Sequence, residues 1–75
     1  MKKRIYLIED DVDLCDMVRG ILESYGYQIS AFHTGRDARA AIRREPPDLC
    51  LVDLALPDMN GLDLVREMWT DVRFG

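Results

Sequence analysis

Acidic side chains follow two apolar segments of this 75-residue sequence, and they are the residues best suited to chemistry. Glu9 and Asp10 come directly after the apolar residues 5–8, and Asp53 lies near the end of the apolar run 49–54. Neighbouring carboxylates repel one another, and burying one is costly unless something binds it. Such a group is a hard oxygen site suited to Mg²⁺. A carboxylate beside Mg²⁺ is also a nucleophile that accepts phosphoryl groups.

Three strand–helix units are needed to position these acids. The hydrophobic pattern predicts strands at residues 5–8, 27–32 and 49–54 and helices at 12–25, 34–45 and 62–69. The third strand is a nearly continuous apolar run, which is typical of a central strand buried on both faces. The second strand alternates and is expected at an edge. Short connections predict an α/β fold with parallel strands in the order 2-1-3, which brings Asp53 beside Glu9 and Asp10 at the carboxyl edge.

The helices carry caps and apolar stripes. Asp11 is predicted to cap the first helix, and Thr34 with Asp37 resembles a capping box for the second. The apolar stripes of the first and third helices are wider than packing against a sheet alone requires. Each of these helices is therefore predicted to contact a second element besides the sheet. In the first helix the stripe comprises Leu14, Val18, Ile21, Leu22 and Tyr25, widened by Cys15 and Met17, and in the third Leu62, Val65 and Trp69 beside Leu64 and Met68. The arginines of the second helix are interpreted as a solvated face.

Composition excludes several classes of protein. The net charge of −4 argues against a nucleic-acid-binding surface. Cys15 and Cys50 lack the spacing of a metal site and are interpreted as buried apolar residues. The basic N-terminus precedes too short an apolar run for a signal peptide or a membrane span, so a cytoplasmic protein is expected. No EF-hand, glycine-rich phosphate loop or nucleophile–histidine set has support, and His33 is interpreted as a solvated loop residue.

Three motifs resemble the receiver domain of two-component response regulators. They are residues 5–11 (IYLIEDD), 47–53 (PDLCLVD) and 54–61 (LALPDMNG). The resemblance implies a flavodoxin-like receiver fold in which Asp53 is the phosphoacceptor and a histidine kinase or phosphotransfer protein is the donor. It further implies that Mg²⁺ is bound by Asp10 and Asp53 directly, by Glu9 through water and by the main-chain oxygen of Ala55. Pro57 and Gly61 correspond to structural residues of the family's loop.

The family has five strand–helix units, whereas this sequence has three. Residues 1–75 are therefore expected to form one partial receiver domain without a second domain, with residues 72–75 leading toward a fourth strand. The Ser/Thr and Lys that the family places after its fourth and fifth strands are missing. Weak Mg²⁺ binding is expected to survive and phosphoryl transfer to be impaired. The third strand is expected to form an open edge, which favours a homodimer or a larger assembly.

The leading interpretation is a phosphorelay receiver, which is not a stand-alone enzyme. Two alternative functions remain. One is an interaction or oligomerisation fragment of a receiver, with a vestigial acidic site. The other is a magnesium-dependent phosphohydrolase with an aspartate nucleophile. Ala55 disfavours the latter, because it leaves no second acid two residues after Asp53 for general acid–base work.

Overall fold

The three apolar segments form one parallel sheet in the computed structural model, which describes residues 2–69. The elements in chain order are β1 (Arg4–Ile8), α1 (Val12–Ser24), β2 (Gln28–Phe32), α2 (Gly35–Arg44), β3 (Leu49–Val52) and α3 (Gly61–Trp69). The strand order β2-β1-β3 confirms the predicted topology. Ile5 lies opposite Ile29 on one side and Leu49 on the other. The segment 72–75 lies outside the described residues.

The central strand β1 separates two apolar clusters, because successive side chains of a strand point to opposite faces. Tyr6 and Ile8 pack with side chains of α2 and α3, including Ala38, Ile42 and Leu64. Ile5, Leu7 and Ile29 pack with α1 through Cys15, supported by Val18 and Leu22. Helices therefore cover both faces of the sheet, with α1 on one face and α2 and α3 on the other.

The prediction that β3 is a central strand buried on both faces is wrong for the described residues. Within residues 2–69, β3 pairs only with β1. Leu49 and Leu51 point to the α1 side and remain 52% and 36% exposed, while Cys50 and Val52 are half-buried on the α3 side. An apolar run indicates that burial of the strand is favourable, but it does not indicate how many elements pack against that strand.

The predicted caps are confirmed at both long helices. The N–H of Leu14 donates to Asp11 Oδ1 at 3.1 Å, and the N–H of Asp37 donates to Thr34 Oγ1 at 3.2 Å. Gly26 follows α1 with φ +90°, a conformation that favours glycine. No helix among the described residues is long and apolar enough to cross a membrane.

Only part of each wide helical stripe is buried. In α1, Cys15 is buried and Val18 and Leu22 are half-buried, whereas Val12, Leu14, Met17 and Ile21 are exposed, as is Tyr25 directly after the helix. In α3, Leu64 is buried and Trp69 is 82% exposed. Within residues 2–69, no second neighbour covers the exposed apolar side chains of α1, whereas α3 packs against α2 in addition to the sheet. Arg39 of α2 departs from the predicted solvated face, because its Nε donates to Glu67 Oε2 of α3 at 2.9 Å.

Candidate metal site at the carboxyl edge of the sheet

The ends of β1 and β3 lie side by side, and this register brings the acids together. Ile8 is opposite Val52, so the next residues of the two strands are Glu9 and Asp53. The N–H of Asp53 donates to the carbonyl of Ile8 at 2.9 Å, which extends the ladder to the acid itself. The N–H of Glu9 donates in turn to the carbonyl of Phe32 at 2.9 Å. Backbone pairing therefore fixes where both acidic residues leave the sheet.

Glu9, Asp10 and Asp53 form one carboxylate group at this edge. One oxygen from each lies within 4.8 Å of the oxygens of the other two. Glu9 and Asp53 are half-buried, and Asp10 is exposed. Three carboxylates in an open edge position match the preference of Mg²⁺ for a few acidic ligands and retained waters. The residues present thus fit a divalent cation.

The electrostatics of Glu9 reflect this crowding. Burial raises the pKa of its carboxyl above the ordinary value of 4.5, and repulsion from Asp53 and Asp10 raises it further. The hydrogen bond from the N–H of Asp11 to Glu9 Oε1, at 3.1 Å, acts in the opposite direction. A cation beside these carboxylates would favour their ionised forms and offset the repulsion between them.

Asp53 is held by the loop that follows it. Its Oδ1 accepts a hydrogen bond from the N–H of Ala55 at 3.0 Å, so Oδ2 is the oxygen free of that bond. The loop closes through the N–H of Gly61, which donates to the carbonyl of Leu54 at 2.9 Å, and through a bridge between Ala55 and Asn60. These contacts fix the backbone of Ala55 next to the acid.

Gly61 is required by close backbone approach in this loop. A Cβ at this position would collide with the carbonyl of Asp53 and the Cα of Leu54. Gly61 also begins α3, so the missing side chain allows the helix to start against the backbone of the acid. The sequence resemblance marked Gly61 as structural, and this contact supplies a physical reason.

Two residues near the site have contacts that the sequence did not predict. Asp58, in the same loop, accepts hydrogen bonds from the N–H groups of Gly35 and Arg36 at 2.8 and 2.9 Å. These bonds lower the pKa of Asp58 below its ordinary value of 3.8. His33, exposed in the loop after β2, places Nδ1 2.8 Å from the carbonyl oxygen of Glu9. The position of Asp58 between Pro57 and Gly61 indicates a loop. Its partners could not be predicted from local sequence, because they are 22 and 23 residues away.

Comparisons with known proteins agree with this geometry. Residues 5–72 match the family of response regulator receiver domains. The chain is 38% identical over 71 residues to the DNA-binding response regulator MtrA of Mycolicibacterium paratuberculosis, covering 95% of this chain and 32% of that protein. It thus spans about a third of the length of this curated relative.

Solved structures of receiver domains are also similar to this chain. The non-phosphorylated HemR receiver domain from Leptospira biflexa superposes with a TM-score of 0.88 at 35% identity, covering 96% of this chain and 58% of that one. A CheY-like response regulator receiver domain protein from Methanospirillum hungatei has a TM-score of 0.86 at 36% identity, covering 89% and 54%. The β-α order and the parallel 2-1-3 sheet described above are the part of the fold they share.

Proposed function

Because the chain belongs to the response regulator receiver domain family, we propose that it accepts a phosphoryl group on Asp53 in a two-component phosphorelay. Receiver domains of this type interact with histidine kinases or phosphotransfer proteins, and we propose a cytoplasmic phosphohistidine of such a partner as donor. DNA binding is in the name of the mycobacterial relative. For residues 1–75 we propose no nucleic-acid contact, since their net charge is −4.

In the proposed transfer, the carboxylate of Asp53 attacks phosphorus through Oδ2. The new P–O bond forms as the P–N bond of the donor phosphohistidine breaks, and the imidazole nitrogen leaves with the bonding electron pair. The donor ring carries a proton on its other nitrogen, so the products are an aspartyl phosphate and a neutral histidine. The N–H of Ala55 holds Oδ1 at 3.0 Å and so orients the carboxylate for this attack. No separate base is required, because Asp53 reacts in its ionised form.

Mg²⁺ bound at this edge would neutralise charge on the transferring phosphoryl oxygens. We propose that Asp10 and Asp53 bind the cation directly, that Glu9 binds it through water, and that the main-chain oxygen of Ala55 completes the protein ligands. The observation that carries the proposal is the approach of the Glu9, Asp10 and Asp53 oxygens to within 4.8 Å at the ends of β1 and β3.

Phosphorylation by a small donor tests this function directly. The chain is incubated with Mg²⁺ and acetyl phosphate, and the acyl phosphate is detected by mass spectrometry and by its lability to hydroxylamine. We expect slow labelling with one phosphoryl group on Asp53, which is lost in Asp53→Asn and when Mg²⁺ is chelated. Asp16→Asn, an exposed acid on α1 away from the trio, is the matched control and should be labelled like the parent. Labelling of Asp53→Asn to the same extent would refute the assignment.

Self-association is a second candidate function, and the open edge of β3 favours it. Leu49 and Leu51 are exposed on a strand that has one neighbour within residues 2–69. Unpaired strand edges with apolar side chains add further strands readily. A second copy of this chain is the proposed occupant, in which case the acidic site is a remnant and phosphorylation is not detected. The acetyl phosphate experiment separates this candidate from the first.

A further inference from the structure

The peptide that joins Glu9 to Asp10 is held at its carbonyl by a side chain. Nδ1 of His33 lies 2.8 Å from the carbonyl oxygen of Glu9. That oxygen only accepts hydrogen bonds, so Nδ1 must carry the hydrogen. The contact therefore assigns the neutral ring to the tautomer with the proton on Nδ1.

The need for this donor follows from where β2 ends. The N–H of Glu9 still pairs with the carbonyl of Phe32, the last residue of β2. The chain then turns toward the cap of α2 at Thr34, and the regular ladder stops. A backbone carbonyl at a strand end requires another donor or water. The ring of His33 supplies that donor at the peptide that joins Glu9 to Asp10.

This single peptide controls two carboxylates. Rotation of the plane between Glu9 and Asp10 changes ψ of the first residue and φ of the second, and so redirects both side chains. The amide of Glu9 is already fixed by Phe32, and its carboxylate accepts from Asp11 at 3.1 Å. With the carbonyl also held, the backbone leading to Asp10 has little freedom. Outer contacts of this kind orient metal ligands and are a recognised determinant of affinity.

We propose that His33 is a positioning residue for the divalent-cation site, acting through the carbonyl of Glu9. The inference rests on the proposed function only in that Glu9, Asp10 and Asp53 bind the cation. His33 itself is not a metal ligand, since the group of oxygens that converge does not include its ring. Its contribution is to hold the Glu9–Asp10 peptide in the orientation that the cation requires.

The tautomer can be tested without any cation. Long-range ¹H–¹⁵N spectra of the ¹⁵N-labelled chain, recorded where the ring is neutral, distinguish a proton on Nδ1 from one on Nε2. We expect the Nδ1–H form to dominate for His33 in the parent chain. A ring protonated on Nε2 would overturn the inference, whatever the outcome of phosphorylation.

Cation affinity tests the positioning role. Mg²⁺ is titrated at a temperature where circular dichroism shows the parent, His33→Leu and His33→Asn to be fully folded. Loss of one hydrogen bond should weaken binding about fivefold in His33→Leu. His33→Asn, which keeps an N–H donor at the δ position, should bind within about twofold of the parent.

The results separate this inference from the proposed function. Equal affinity of His33→Leu and the parent would overturn the positioning role and leave the cation site standing. A loss in His33→Asn as large as in His33→Leu would also overturn it, because the donor would then not be the feature that matters. Failure of the parent to bind Mg²⁺ would overturn both proposals.

Discussion

The carboxylate of Asp58 accepts a hydrogen bond at 2.8 Å from the N–H of Gly35, the first residue of α2. A second bond, from the N–H of Arg36 at 2.9 Å, makes the contact bidentate. Gly35 also allows close approach, because a Cβ there would meet the side chain of Met59. The loop that holds Asp53 is therefore fastened to the start of α2, on the α2–α3 side of the sheet.

Asp58→Asn is expected to lower the unfolding midpoint at pH 6, because an amide has one acceptor oxygen instead of two. The pKa of Asp58 is lowered in the folded chain, so its stabilisation is fully present above 3.8 and is lost as pH falls through the folded pKa. The difference in unfolding midpoint between the parent and Asp58→Asn should therefore become smaller in acid. Thermal melts of parent, Asp58→Asn and the control Asp16→Asn at several pH values measure it. A difference in unfolding midpoint that does not narrow as the pH falls below 3.8 would contradict this account.

Gly61→Ala should destabilise the chain by about 1–3 kcal/mol, since the added methyl meets backbone atoms that must move. The collision is with the carbonyl of Asp53 and the Cα of Leu54. Gly20→Ala is the matched control, because open space surrounds that position in α1. It should stabilise the helix by about 0.5–1 kcal/mol. Urea unfolding monitored by circular dichroism measures both, and equal effects at the two glycines would count against the close approach.

Mg²⁺ should raise the unfolding midpoint through the acidic trio. A cation at ten times its dissociation constant stabilises the folded state by about 1.4 kcal/mol, which corresponds to about 5–10 °C in a domain of this size. Asp10→Asn should abolish this shift without lowering the midpoint in the absence of cation, because it also removes a charge that repels Glu9. Asp16→Asn should keep the shift. An undiminished shift in Asp10→Asn would exclude Asp10 as a ligand.

The thiol of Cys50 should react slowly in the folded chain. Burial raises its pKa to about 11, from an ordinary 9.0, so little thiolate is present at pH 8. In Cys15→Ser, where Cys50 is the remaining thiol, iodoacetamide should label the folded chain about 10–100-fold more slowly than the chain in urea. The rate should rise with pH up to about 11. Mass spectrometry follows the labelling, and equal rates in the two states would show that β3 does not shield this side chain.

Self-association through β3 should depend on Leu51. Leu51→Lys places a charge on the open edge strand, which disfavours further strand pairing. Leu54→Lys is the control, because Leu54 is exposed in the loop and lies outside β3. Light scattering at micromolar concentration should give a larger mass for the parent and Leu54→Lys than for Leu51→Lys. A parent that is monomeric under these conditions would rule out the second candidate function.

Local sequence signals were sufficient to predict the helices and strands and several of their contacts. The caps at Asp11 and Thr34 were predicted because a cap uses neighbours within four residues, and both are confirmed. The strand order followed from short connections and right-handed crossovers. The acidic trio followed from that order, because parallel strands end at one edge. The roles of Glu9, Asp10, Asp53 and Ala55 in binding and catalysis stay proposals.

The sequence by itself determined where carboxylates leave the sheet, since apolar periodicity and loop length are encoded within each strand–helix unit. Tertiary structure alone decided that Asp58 binds the start of α2, that His33 reaches Glu9, and that β3 has an exposed face within residues 2–69. The Asp58 and His33 contacts join segments 22 or more residues apart, and their geometry depends on how complete units pack. A residue's type limits which bonds it is able to make, but only the packed fold determines which partner comes within reach.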